Sequence, residues 1–253
     1  MTHQGFASPE QSHAHSLQTL NVLYEFDDFM ESVGSVLDLG CGDGLDMQWW
    51  ATATTRDEDS PQPLNIRCMG VDRTEHIAVR HPNIMYRCRD FEQLSDMPKQ
   101  TYDILWCHDA FQYVIDPFST LRLWHERTND DGMLVLIIPQ TTNTKFNRQD
   151  IGQVSGVYWH WTLVNLIHVL AVTGWDCHGG FFRKAVDDPW LHAVVYKGAR
   201  PDFDARHISW YELAERGLLP QSAQDGVNSR GYLDQQDLVL PWLDKSLISY
   251  RDY

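Results

Sequence analysis

The sequence predicts an α/β fold, a doubly wound and mostly parallel sheet, on three observations. Short apolar runs suited to buried strands alternate with stretches of helical periodicity. A glycine-spaced turn, Gly40-Cys-Gly-Asp-Gly44, directly follows the first of those runs. Met133-Leu-Val-Leu-Ile-Ile-Pro139 is continuously apolar, as a central strand covered on both faces requires. Strands joined in this way pair in parallel through right-handed crossovers.

With 253 residues the chain can bury the core of one ordinary domain and have residues to spare. Its net charge of −15 repels phosphate backbones and no Lys/Arg cluster offsets it, so no nucleic acid is expected as partner. No apolar run reaches the ~18 residues of a membrane span, and the first ten residues lack signal-peptide regions. The expectation is a cytoplasmic protein that makes no membrane contact. Five cysteines is an odd count, and Cys41, Cys68, Cys88, Cys107 and Cys177 mostly fall in or beside strands, so they read as reduced, small apolar residues. No Cys-x-x-Cys pair exists, and His13-x-His15 reads as solvated rather than ligating, so no metal is expected.

Taken in order, residues 1–12 read as a mobile tail, and apolar residues from Leu17 to Met30 recur at helical spacing between His13 and Ser32. Val36, Leu37 and Leu39 form the first strand, and a helix is expected from near Asp43 through Ala53. Residues 54–63 are polar and proline-broken, a surface loop. A second strand, 65–72, ends on Asp72, and a third, Ile84–Cys88, is followed by Asp90 and Phe91. The fourth strand begins at Tyr102 and runs into His108-Asp-Ala-Phe-Gln-Tyr113. Asp116 as N-cap and Pro117 at the first position open a helix to about Arg127, closed by residues 129–132. Residues 140–158 form a long aperiodic loop that ends in the aromatic-rich Tyr158-Trp-His-Trp161. Thr162 caps a helix stopped at Gly174, and strands follow at 175–182 and 191–197. In the remaining segment, 209–219 reads as a helix capped by Ser209 and 221–231 as flexible. The apolar stretch from Leu238 needs a surface to dock on.

Val-Leu-Asp-Leu-Gly-Cys-Gly-Asp-Gly, ending at Gly44, resembles the first motif of class I S-adenosylmethionine-dependent methyltransferases, an acidic residue followed by alternate glycines. A dinucleotide fingerprint would instead place a third glycine where Leu45 stands. Residues 102–117 resemble the family's fourth motif, with Tyr113 where many members carry histidine. The resemblance spans about 14–198 and implies a Rossmann-like, seven-stranded sheet whose last strand is antiparallel. It divides the chain into a tail, a methyltransferase domain over 13–198, and a C-terminal extension over 199–253. That extension either docks on the core or joins two copies as a homodimer.

The resemblance also implies site roles. Asp38, Gly40, Cys41, Gly42 and Gly44 would cradle S-adenosylmethionine, Asp72 would accept from its ribose hydroxyls, and Asp90 and Phe91 would meet the adenine. Asp72 follows Gly44 by 28 residues, and the polar loop accounts for the length. His108 would border the methionine end of the cofactor. His108, Asp109 and Tyr113 are the candidates for catalysis, although tyrosine is a poor base at neutral pH. Tyr158, Trp159 and His160 are candidates for a substrate wall. The implied reaction is transfer of the sulfonium methyl group to a small-molecule acceptor by in-line attack. A non-catalytic binding module of the same fold and a nicotinamide-dependent oxidoreductase are the alternatives.

Overall fold

The computed structural model describes residues 9–26, 29–75, 77–95, 97–140, 158–184, 190–233, 238–245 and 247–249. Helix α1 spans Pro9–Glu25 and α2 spans Phe29–Ser32; β1 is Ser35–Leu39, α3 Leu45–Thr52, β2 Arg67–Asp72, β3 Ile84–Cys88 and β4 Tyr102–His108. A 3-10 turn at Phe111–Tyr113 precedes α4, Pro117–Glu126, and β5, Thr128–Pro139. Then come α5, Leu163–Ala171, β6, Trp175–Lys184, and β7, Trp190–Lys197. The chain closes with α6, Trp210–Glu215, α7, Gln221–Arg230, and a small hairpin of β8, Val239–Pro241, with β9, Leu247–Ser249.

The main sheet has the order β3-β2-β1-β4-β5-β7-β6. Pairing is parallel from β3 to β5, and β7 runs antiparallel to both β5 and β6. The seven strands and the reversed last strand therefore stand as the sequence implies. Alternation decides which residues face which layer. In β4 and β5, Ile104, Trp106, Met133, Val135 and Ile137 join one core with α1 and α3. Leu105, Cys107, Leu134, Leu136 and Ile138 join the other, with α4 to α7. Both faces are covered, which is why β5 needs an unbroken apolar run.

The order reverses between β1 and β4, which carry the chain to opposite sides of the sheet. Their carboxyl ends splay apart there and leave the crevice where sheets of this kind bind ligands. The turn after Leu39 and the end of β4 at His108 both open into it.

Several expectations change. Helix α1 begins at Pro9, inside the stretch read as tail, and the expected single helix breaks after Glu25 before α2. Helix α3 starts at Leu45, just past the expected start near Asp43, because Gly44 still holds a left-handed conformation at φ +85°, and it runs to Thr52 within the expected span. Residues 129–132 do not simply close α4. They lie within β5, where the register moves from Tyr102 opposite Thr128 to Ile104 opposite Met133. Residues 221–231, read as flexible, form α7; Ala223 and Val227 reach the core, and Gly231 ends it at φ +72°. The apolar stretch from Leu238 finds its surface within the chain, burying Leu238, Leu240, Trp242 and Leu243. Tyr211 and Tyr232 stay exposed. No helix among the described residues is long and apolar enough to cross a membrane.

Candidate active site

The glycine turn is built from backbone conformations that L side chains rarely adopt: φ is +83° at Gly40, +48° at Gly42 and +85° at Gly44. Gly40 donates its N–H to Val71 O at 2.8 Å, which ties the turn to the end of β2. A Cβ at Gly40 would lie 2.2 Å from that of Ala110, whereas one at Gly42 would meet nothing within 4 Å. Gly40 is glycine for packing and Gly42 borders open space.

Asp72 stands at the end of β2, as the sequence places it. Its Oδ2 accepts from Gly42 N (3.0 Å) and its Oδ1 from Thr74 N (2.8 Å). A carboxylate offers about four lone-pair sites, so capacity for two hydroxyls remains. Asp38 is 2% exposed, and its Oδ2 has no hydrogen-bond partner. Burial, and then the charges of Asp46 and Asp72, hold its carboxyl well above the usual range. The same burial and the Asp38 charge push the Cys41 thiol up, so it is an unreactive lining group.

Three carboxylates thus converge on the turn. S-adenosylmethionine carries a sulfonium and an ammonium, and the orphaned Asp38 oxygen and the open space at Gly42 fit such a cation. With Asp38→Asn, we expect the ligand-free protein to gain stability over wild type as pH rises. Its folded-state pKa is raised above the unfolded value of about 3.9, so wild type loses stability as pH climbs from that value towards the folded one. Melting temperatures of both proteins across pH 5–9 check this, and a gap that does not widen with pH removes the argument.

Asp90 is more engaged than the sequence suggests. Its Oδ2 accepts from Arg73 Nη2 at 2.8 Å and its Oδ1 from Glu92 N at 2.9 Å. Arg73 also reaches Glu92, whose Oε2 accepts from Ile115 N at 2.7 Å, so three loops at the strand ends are tied together. Phe91 is buried against Trp124 with the Arg73 guanidinium 5.7 Å over its ring.

At the end of β4, Asp109 takes φ +51° and accepts from Gln112 Nε2 at 2.6 Å. Burial pushes its carboxyl up to about 6. Burial and then the Asp109 charge raise the Tyr113 hydroxyl, so Tyr113 stays protonated and serves as a hydrogen-bond donor rather than as a base. Tyr158 and Trp159 both donate their N–H to Gln112 O, at 3.0 and 3.2 Å, which puts the two aromatics beside Asp109. Trp159 stacks on Trp161, and Trp161 on Phe111. His160 is exposed, and most of the expected loop, residues 141–157, lies outside the described residues.

The largest departure is Asp46, in the first turn of α3 and 7% exposed. It accepts from Trp106 Nε1 (2.9 Å), His108 Nδ1 (3.0 Å), His13 Nδ1 (2.6 Å) and the Ser16 hydroxyl. Burial would raise its carboxyl, but the bonds from His108, His13 and Ser16 outweigh it and hold the group well below the usual range. His13 is therefore an anchor of α1 on the site, not a solvated terminal residue. Sequence reasoning missed Asp46, His13, Ser16 and Arg73. The only available signal was an acid two residues past the last glycine, which reads equally well as a helix N-terminal charge. Among the described residues no group of three metal-ligating side chains occurs.

The described features coincide with a family profile, that of a methyltransferase domain, which matches residues 37–136. No curated protein matches the sequence. Solved structures do match in fold. The plantazolicin methyltransferase BamL, solved with a triazolic desmethylPZN analog and S-adenosylhomocysteine, superposes with TM-score 0.56 at 16% identity, over 76% of this chain and 87% of that one. The 1,6-didemethyltoxoflavin-N1-methyltransferase of Burkholderia thailandensis, bound to 1,6-didemethyltoxoflavin and S-adenosylhomocysteine, gives 0.50 at 12%, over 78% and 94%.

Proposed function

We propose that this chain, whose residues 37–136 match a methyltransferase-domain profile, is a class I S-adenosylmethionine-dependent methyltransferase and methylates a small-molecule acceptor bearing an aromatic or apolar face. The observation that carries the proposal is the stacked series Phe111, Trp161, Trp159, whose outer member is 37% exposed and donates its backbone N–H to Gln112 O. An exposed indole held by a bond from Trp159 Nε1 to Val114 O (2.9 Å) is a fixed apolar surface at the site's rim. BamL was solved with a triazolic desmethylPZN analog and the Burkholderia thailandensis enzyme with 1,6-didemethyltoxoflavin, and small-molecule ligands of this kind accord with the reading.

In this reading Gly42 lets the backbone approach the cofactor, Asp72 holds its ribose, and Asp38 faces its positive charge. The bound cofactor supplies a methyl group already activated on sulfur. What remains for the protein is to align the acceptor and keep water out. The aromatic series orients the acceptor ring.

Trp159→Ala should raise the acceptor KM about tenfold, in keeping with the ~1–3 kcal/mol of a stacked ring, and leave S-adenosylhomocysteine affinity unchanged. Isothermal calorimetry with S-adenosylhomocysteine and a turnover screen of heteroaromatic, phenolic and peptide acceptors provide the test. Turnover of a folded protein substrate with no small-molecule turnover would overturn the acceptor class.

A further inference from the structure

A buried histidine left with one ring nitrogen unpaired requires an explanation, because such a group costs about 1–3 kcal/mol. His108, 9% exposed, is that case: Nδ1 is bonded to Asp46 Oδ2 at 3.0 Å, and Nε2 has no hydrogen-bond partner. It ends β4, two residues before the Ala110 that lies against Gly40. From this geometry we infer that His108 is the proton acceptor for the substrate and Asp46 its positioning residue, so that the acceptor carries an O–H or N–H that must be lost on methylation. The inference rests on the methyl-transfer reading and specifies its acceptor.

An ionised carboxylate only accepts, so Asp46 fixes the hydrogen on Nδ1, and the neutral imidazole keeps its Nε2 lone pair. Trp106 Nε1, His13 and Ser16 hold the carboxylate from three other directions, so its orientation is set before any ligand arrives. Trp190 of β7 packs edge-on against the imidazole with ring centroids 5.7 Å apart. The titratable groups around His108 are Asp46 from α3, His13 from α1, Asp109 next in its own chain, and His192 of β7, which Thr19 holds at 2.8 Å. The acceptor heteroatom gives its proton to Nε2 as its electron pair forms the bond to carbon, while the carbon–sulfur bond breaks with its pair on sulfur. The proton then rests on an imidazolium paired with Asp46. The carboxylates Asp46 and Asp72 disfavour an acceptor that arrives as an anion, so a neutral hydroxyl, phenol or azole N–H is the class that fits.

The test begins on the ligand-free wild-type protein with 15N-labelled histidine. Imidazole nitrogen shifts should show His108 protonated on Nδ1 and bare on Nε2, and the preference should weaken in Asp46→Asn. With any phenol or azole that turns over, His108→Gln should lose about 100-fold in kcat, as for other general bases, and lose the rising acid limb of its pH profile. The opposite tautomer in wild type overturns the role of His108. A phenol or azole turned over with no loss in His108→Gln overturns it as well. If no small molecule turns over at all, the acceptor reading of the previous subsection fails, and the tautomer result still decides the dyad.

Discussion

Gly40→Ala is expected to destabilise the protein by about 2–5 kcal/mol, the largest effect of any single methyl group in the site. Two costs add. A left-handed conformation costs an L-residue roughly 1–2 kcal/mol, and φ is +83° at Gly40. The new Cβ would also lie 2.2 Å from the Ala110 Cβ, which is fixed to backbone and cannot swing away. Relieving that overlap costs about 1–3 kcal/mol more and drives β1 away from the loop after β4. Gly42→Ala provides the control. Its φ is +48° and its Cβ meets nothing within 4 Å, so only the backbone cost of about 1–2 kcal/mol applies. Its methyl group would instead enter the open space at the turn and should weaken S-adenosylhomocysteine binding tenfold or more. Urea denaturation and calorimetry on the two variants separate fold from function. Equal loss of stability in both, or wild-type ligand affinity in Gly42→Ala, contradicts this division of labour.

Asp46→Ala is expected to cost about 3–5 kcal/mol, the range for removing one partner of a buried charged network. The loss leaves His13, Ser16, Trp106 and His108 without their shared acceptor. Helix α1 would keep Leu20, Leu23 and the Thr19–His192 bond but lose both polar anchors near its N-terminal half. Limited proteolysis should therefore cut within α1 in the variant and not in wild type. The pH dependence has a definite sign. The Asp46 carboxyl is held low in the folded state, so its contribution is complete above the unfolded value of about 3.9 and is lost as pH falls below it. The stability difference between wild type and Asp46→Asn should shrink as pH drops from 5 towards 2. A difference that stays constant over that range would show that the carboxylate charge contributes nothing.

Much of the fold is legible in the sequence because its signals are local. An unbroken apolar run at 133–139 can only be a covered strand, and Asp116-Pro117 caps a helix by itself, with Asp116 Oδ1 accepting from Phe118 and Ser119 N–H. The glycine turn is equally local, since its conformation excludes Cβ atoms whatever surrounds it. Thr162 and Ser209 close capping boxes with Asn165 and Glu212 three residues on. Helix α7 was not legible: Gln221-Ser-Ala-Gln-Asp-Gly-Val has little apolar periodicity. Its stability comes from Ala223 and Val227 reaching a core that α6 and the strands supply.

The sequence by itself determined the doubly wound sheet, the positions of Gly40, Gly42, Gly44 and Asp72 around the crevice, and the methyltransferase-domain profile that residues 37–136 match. It could do so because strand, turn and cap chemistry act within a few residues. Only the tertiary structure decided how charge is arranged there. Asp46 meets Ser16 30 residues away and His108 62 residues away, and Asp38 is left with an unpaired oxygen because burial denies it water. Hydrogen-bond partners so distant in the chain are set by how helices dock on the sheet, and no local spacing records that.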